Sequence, residues 1–306
     1  MGVRERIANL VPWRRQRRTR GVSLALGGGG ARGAAHIGVL HELEEAGIPV
    51  LAVAGTSAGA VVGAMWLAGG SAQAVETRWR EFLAAGLLPE LPDVRLAPSV
   101  TSHDNVLLSF ARRLRDGAAV VLALDRRSLI ASEDLDRAFA FLLPEVDARA
   151  LPQPFAAVAT DLATGEAVAL RAGSLRQVVA ASSSIPGVIP PRVIDGRALI
   201  DGGVVAEVPV AQAAQLGPHP VVAVYVGETP RPEDPATLTV PRALARASLL
   251  ASRALAARLL DAADAVIAPE VGALHWSDFA RFEEAMAAGR AAARAALPHL
   301  RVLLES

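Results

Sequence analysis

Two short apolar runs joined by a helical stretch do most to constrain the fold. Val22 to Leu26 runs into Gly27-Gly28-Gly29-Gly30, and Val50 to Ala54 runs into Gly55-Thr56-Ser57-Ala58-Gly59. Between them, Gly33 to Ala46 carries Ile37, Leu40 and Leu43 at helical spacing, with Glu42 and Glu45 read as pointing away from that face. Gly47 supplies the helix stop. Runs of five apolar residues without alternation suit strands buried on both faces, so the chain opens βαβα, with two parallel strands and a helical crossover.

The second turn is the more informative. A strand, a sharp turn of small residues and a helix rich in alanine, Ala60 to Ala68, is what a nucleophile elbow requires, because bulk beside the serine would block the tight reversal that presents its hydroxyl. Ser57 is therefore the candidate nucleophile, with Gly55 and Gly59 supporting the turn. The pattern alone equally describes an ordinary serine in a tight strand-to-helix turn.

The glycine run offers the complementary part. Side-chain-free residues at a strand's C-terminal end, followed by a helix N-terminus, can direct N–H groups at an anion. Gly28, Gly29, Gly30 and Ala31 are the candidate oxyanion donors, with Arg32 beside them. Gly28, Gly30 and Gly33 also fit a dinucleotide-binding spacing, but the position about 20 residues beyond is Val53 rather than a ribose-holding acid.

Farther along, Phe155 to Thr160 reads as a strand, Ala163-Thr164-Gly165 as a turn and Glu166 to Arg171 as its partner strand. Ser182 to Pro186 breaks a short helix. Arg192 to Ile194 and Arg197 to Ile200 form a hairpin around Asp195-Gly196, and Asp201-Gly202-Gly203 follows its second arm. Asp201 is the candidate base, and an aspartate that merely ends a hairpin is the open alternative. Val221 to Val226 is a last strand before alanine-rich helices. Histidine bases remain to be weighed: His219 or His275 would complete a Ser, acid, His order, but only one strand precedes the elbow strand, too few for an α/β-hydrolase. His36 and His41 are read as structural or exposed.

Taken in order, GGGGARG, GTSAG and DGG resemble the three signatures of patatin-like phospholipases of the bacterial single-domain type. The resemblance runs from Val22 to about Pro209, through Asp161-Leu162-Ala163-Thr164-Gly165 and the Ser182 to Pro186 segment, with an echo near His275-Trp276-Ser277-Asp278. It implies a three-layer αβα fold with a mainly parallel central sheet and a nucleophile elbow. It further implies a Ser57–Asp201 dyad without histidine, an oxyanion hole at Gly28 to Ala31, Arg32 and the glycines Gly55, Gly59, Gly202 and Gly203 in support, and no metal or cofactor. The implied substrates are phospholipids or lysophospholipids, cleaved as esters through an acyl-enzyme. An acyltransferase using the same acyl-serine and a non-catalytic membrane-associated regulatory module are the alternatives.

Composition limits the rest. The 306 residues contain no cysteine, which removes disulfides, thiolate metal sites and a cysteine nucleophile. Every long apolar stretch is interrupted by charge before the ~20 residues of a membrane span, so a cytoplasmic location is expected, with peripheral membrane contact. Nothing suggests nucleic acid as a partner. The 31 basic and 31 acidic residues balance, yet Arg4, Arg6, Arg14, Arg15, Arg17, Arg18 and Arg20 face only Glu5 at the start. Residues 1–20 are therefore expected to be a basic, disordered arm, and residues 21–306 the catalytic domain, with a helical flank at about 71–150. Because Leu10, Val11 and Trp13 accompany the arginines, deleting residues 1–20 is expected to spare turnover of a short soluble ester while weakening binding to anionic vesicles. Attraction screened within about 8 Å should also fall with salt, which vesicle sedimentation at two salt concentrations measures.

Overall fold

The structure, a computed structural model, describes residues 21–88, 130–230, 232, 234 and 239–305. The arm, residues 89–129 of the expected flank, and His103 lie outside the described residues. The opening is as expected: β1 (Val22–Leu26), α1 (Ala34–Glu45), β2 (Val50–Thr56) and α2 (Ala58–Gly69), with β1 and β2 parallel and Leu26 level with Gly55. The described part of the flank is helical in α3 (Ala72–Ala84) and α4 (Ser132–Leu142). Then come β3 (Phe155–Asp161), β4 (Ala167–Leu170), α5 (Leu175–Ser182), the hairpin β5 (Arg192–Ile194) and β6 (Arg197–Asp201), α6 (Val210–Ala214) and β7 (Val221–Val224). The chain closes with α7 (Val240–Leu260), β8 (Ala265–Ile267) and α8 (Phe282–Glu305). The strand β8 was not anticipated; three residues beside β7 are too few to show a period.

The eight strands form one sheet in the order β5-β6-β3-β2-β1-β7-β8, with β4 also on β3. Strands β3, β2, β1, β7 and β8 run parallel, and β4, β5 and β6 supply the antiparallel pairings. Strand order advances from β1 to β3 on one side and jumps to β7 on the other. The crevice at the carboxyl ends of β1 and β7 is thus the switch point where open α/β sheets place their ligands.

Side-chain alternation builds the three layers. Leu24, Leu26, Val53, Val222 and Val224 face a core shared with α1, α2, α5 and α8. Ala25, Ala54, Ala156 and Ala223 face the opposite way, toward α6 and the end of α7 at Leu260. One face is thus built from branched residues and the other largely from alanine, which lets the short α6 lie close to the sheet.

Helix α8 corrects one expectation. Glu42 does not project into solvent: it is buried beneath α8, where Arg290 (3.0 Å) and Arg294 (2.7 Å) bond its carboxylate. Helical periodicity assigned its face correctly relative to the sheet but could not reveal a second helix packed on the other side. The crossing is tight. A Cβ on Gly38 would lie 2.0 Å from the Met286 carbonyl oxygen, and one on Gly289 2.0 Å from that of Ala35. Both obstacles are backbone, so Gly289→Val should force α8 away from α1. A loss of about 3 kcal/mol corresponds to a fall in Tm of about 6–12 °C for a domain of this size, measurable by thermal denaturation.

Candidate active site

Ser57 is the residue between β2 and α2, and its backbone adopts φ 52°, ψ −121°. Positive φ is costly for a residue with a Cβ, about 1–3 kcal/mol, and persists only where neighbours hold it. Here α2 presses against the end of β1, since a Cβ on Gly59 would lie 2.2 Å from the Leu26 carbonyl oxygen. From the other side, Ser182 at the end of α5 accepts a hydrogen bond from the Ser57 N–H at 2.9 Å and donates its own to the Val158 carbonyl at 2.6 Å. Two residues on, the Ser184 carbonyl accepts from the Asp201 N–H at 2.8 Å. The segment from Ser182 to Ser184 therefore links the two candidate catalytic residues to β3 and to each other. Its serines were legible in the sequence as a helix break, but their partners lie far away in the chain.

Asp201 ends β6, beside β3, and is buried. Its carboxylate accepts from the Gly203 N–H at 2.7 Å and lies beside the Ser57 hydroxyl, which favours its ionised form. Gly202 allows the chain to pass behind the elbow: a Cβ there would lie 2.2 Å from the Val158 carbonyl oxygen. Burial pushes the Asp201 carboxyl up to about 6, against the opposing influence of the Ser57 hydroxyl and the Gly203 amide, with Glu207 adding a smaller push upward. Among the described residues no histidine bonds Ser57 or Asp201. His36 is buried and its Nε2 donates to the Gly27 carbonyl at 2.8 Å; burial lowers it to about 4, so it is a neutral tether for the glycine loop. His41 joins Glu76 at 2.7 Å, and His275 joins Ser277.

The glycine loop lies directly beside the serine, with the Cβ position of Gly28 3.5 Å from the Ser57 Cβ. Two of the four expected donors are already engaged: the Gly28 N–H bonds to the Glu207 carbonyl (2.8 Å) and the Ala31 N–H to the Trp276 carbonyl (2.6 Å). The amides left for an anion in this loop are those of Gly29 and Gly30. Arg32 is a clasp rather than a solvent-facing cation. It is buried, with Nε on the Val226 carbonyl (2.8 Å) and one terminal nitrogen on the Leu274 carbonyl (3.1 Å) and near Glu228 (3.5 Å). Desolvation holds its pKa below the usual value. Arg32 thus fastens the loop to the chain leaving β7.

A cavity of about 540 Å³ opens on these groups, within the range of small-molecule sites. Ser57, Asp201, Gly29 and Gly30 line its floor, while Trp276, Val204 and Leu255 are among its walls. Glu207 also reaches it, and burial raises its carboxyl above the usual range. A family model for patatin-like phospholipases matches residues 24–214. The chain belongs to the patatin-like phospholipase family.

Among relatives, an uncharacterized NTE family protein of Mycobacterium tuberculosis is 36% identical over 203 residues, covering 66% of this chain and 48% of that protein. Patatin-like phospholipase domain-containing protein 6 of Homo sapiens is 33% identical over 208 residues, covering 67% of this chain and 13% of that one. The chain thus spans about half the length or less of these curated relatives. Solved structures similar to it include VipD from Legionella pneumophila, with TM-score 0.44, 15% identity and coverage of 96% of this chain and 73% of that chain. ExoU in complex with SpcU from Pseudomonas aeruginosa gives TM-score 0.41 and 17% identity, covering 94% of this chain and 52% of that chain. The patatin-like match ends before β7, so Trp276, the lining of α7 and the Glu42 clamp on α8 lie beyond it.

In this patatin-like domain the elbow depends on one side chain outside the motifs. Ser182→Ala would leave the buried Ser57 N–H and one Val158 lone pair unpaired, a cost of about 1–3 kcal/mol. A lowered Tm together with a fall in kcat of about tenfold or more is the expected result, measured by calorimetry and ester turnover.

Proposed function

We propose that the chain is a serine acyl hydrolase acting on lipid esters, of phospholipase A, lysophospholipase or general esterase type. The observation that carries this reading is the Ser57 hydroxyl set beside a buried Asp201 carboxylate whose ionised form it favours, in a cavity that is also lined by Gly29 and Gly30. Membership of a phospholipase family supports the substrate class.

Chemically, Ser57 Oγ attacks the ester carbonyl carbon as its proton passes to Asp201. The tetrahedral oxyanion accepts hydrogen bonds from Gly29 and Gly30, with the N-terminus of α2 adding positive potential. Collapse expels the alcohol, which takes the proton from Asp201, and leaves an acyl-Ser57. Water then attacks that ester with the same carboxylate accepting its proton, releasing the fatty acid and restoring the serine. An ordinary carboxylate is a weak base for a hydroxyl; raising Asp201 to about 6 narrows the gap while keeping it ionised at neutral pH. Orientation and oxyanion stabilisation supply the remaining rate.

Fluorophosphonate labelling read by mass analysis, followed by a screen of phospholipids and lysophospholipids, tests the reading. Ser57→Ala should abolish labelling and hydrolysis in a folded protein; activity retained above a few per cent removes Ser57 from its role. The dependence on pH has a definite sign. Protonated Asp201 cannot accept the serine proton, so kcat/KM should rise through about pH 6 and level off above it.

Asp201→Asn should nearly eliminate turnover yet stabilise the fold. An acid whose native pKa lies at about 6, above its ordinary value of 3.8, destabilises the native state progressively as pH rises through that window. Removing the charge should therefore return on the order of 2–3 kcal/mol at neutral pH, seen as a higher Tm. His219→Ala and His275→Ala should leave kcat largely unchanged; a folded variant losing about 10³-fold would replace the dyad with a triad.

A further inference from the structure

Among the described residues, helix α7 is a thinly covered part of the cavity wall. Of its described side chains only Ala256 is fully buried. One side closes the cavity: Ser248, Ala251, Ser252 and Leu255 line it, and the Ser252 hydroxyl donates to Glu207 at 2.8 Å. Leu244 lies on the same stripe, four, seven and eleven residues before Ser248, Ala251 and Leu255. The stripe therefore runs out of the cavity onto the surface, where Leu244 is 67% exposed. Val240, one turn before it, is 75% exposed, and Leu250 46%. Across the mouth, the cavity-lining Val204 is 46% exposed and Pro186 is exposed as well. Val240, Leu244, Val204 and Pro186 thus place exposed apolar side chains beside an opening that already contains a nucleophile, and Leu250 adds another about a third of a turn round α7 from Leu244.

Charge indicates what would cover this surface. The 21 residues of α7 include Arg242, Arg246, Arg253 and Arg258 and no acid. A helix with exposed apolar side chains and only positive charge in its own sequence has the composition of one that lies in the interface of an anionic bilayer. A second copy of the same chain fits less well, because a two-fold contact through α7 would oppose arginine to arginine.

We propose that α7 is a membrane-docking helix, which sets Val240, Leu244 and Leu250 into an anionic lipid surface and holds the cavity mouth against it, so that a lipid ester reaches Ser57 without crossing water. The delivery step rests on the hydrolase reading above; the docking step does not.

The decisive variant is Leu244→Glu/Leu250→Glu in the full chain, two exposed positions whose change places acids where the lipid would be. Binding is measured by sedimentation with vesicles of phosphatidylcholine containing phosphatidylglycerol, in a Ser57→Ala background so that lipid is not consumed. The arm is present in every protein compared, so its contribution cancels. Affinity should fall about tenfold or more, while the same double variant with Ser57 intact should turn over a short soluble ester at the parent rate and lose vesicle hydrolysis.

Because the chain has no cysteine, Ala247→Cys on the exposed side of α7 accepts a single environment-sensitive fluorophore. Its emission should shift to the blue on anionic vesicles, a readout that remains if the double variant does not fold. Unchanged vesicle affinity in the folded double variant, or no spectral shift, overturns the proposal. So does a dimer in light scattering that the variant dissociates without loss of vesicle binding. A parent protein that docks through α7 yet cleaves no ester would leave docking standing and remove the hydrolase reading, so the two fail separately.

Discussion

The left-handed backbone of Ser57 is the constraint on which the site depends. A serine at φ 52° is strained, and the strain is held from two directions: α2 seated without a Cβ on the end of β1, and Ser182 bonding the Ser57 N–H. Because Ser182 also bonds Val158 on β3, and the next turn bonds Asp201, the elbow and its acid are positioned by the same short segment. Displacing one would displace the other.

Burial ties this geometry to chemistry. The same desolvation that raises Asp201 toward neutrality makes an ionised carboxylate there costly, and among the described residues the Gly203 amide and the neighbouring Ser57 hydroxyl offset it. A better-solvated aspartate would be more stable and a weaker base. The glycine loop follows a similar logic: four groups fasten it, namely the Gly28 and Ala31 amides, His36 and Arg32, while the intervening Gly29 and Gly30 amides bond to no group among the described residues. Rigid attachment on both sides is what allows two free donors to be preorganised.

The periphery is less uniform. On the α1 side, α8 is locked by paired glycines and by a buried glutamate between arginines, joined at its start by the Arg80 link between Glu76 and Glu283. On the other side α7 crosses the mouth with one buried alanine and a few polar attachments. Packing is thus dense behind the sheet and thin over the cavity, where substrate must enter.

The local sequence determined the elements whose signal is short-range. Val22 to Leu26, the helix ending before Gly47, the elbow at Ser57 and the hairpin around Asp195-Gly196 all follow from periods and turn residues within about a dozen positions, and the order of three motifs identified the family. Tertiary structure decided what depends on distant partners. It brought Asp201 to Ser57 across the sheet, turned Glu42 from a solvent-facing residue into a buried ion pair, engaged the Gly28 and Ala31 amides with Glu207 and Trp276, and paired β8 with β7. The reason is physical: a period reveals which face of an element is apolar, whereas hydrogen-bond partners and pKa values depend on which remote segments arrive beside it.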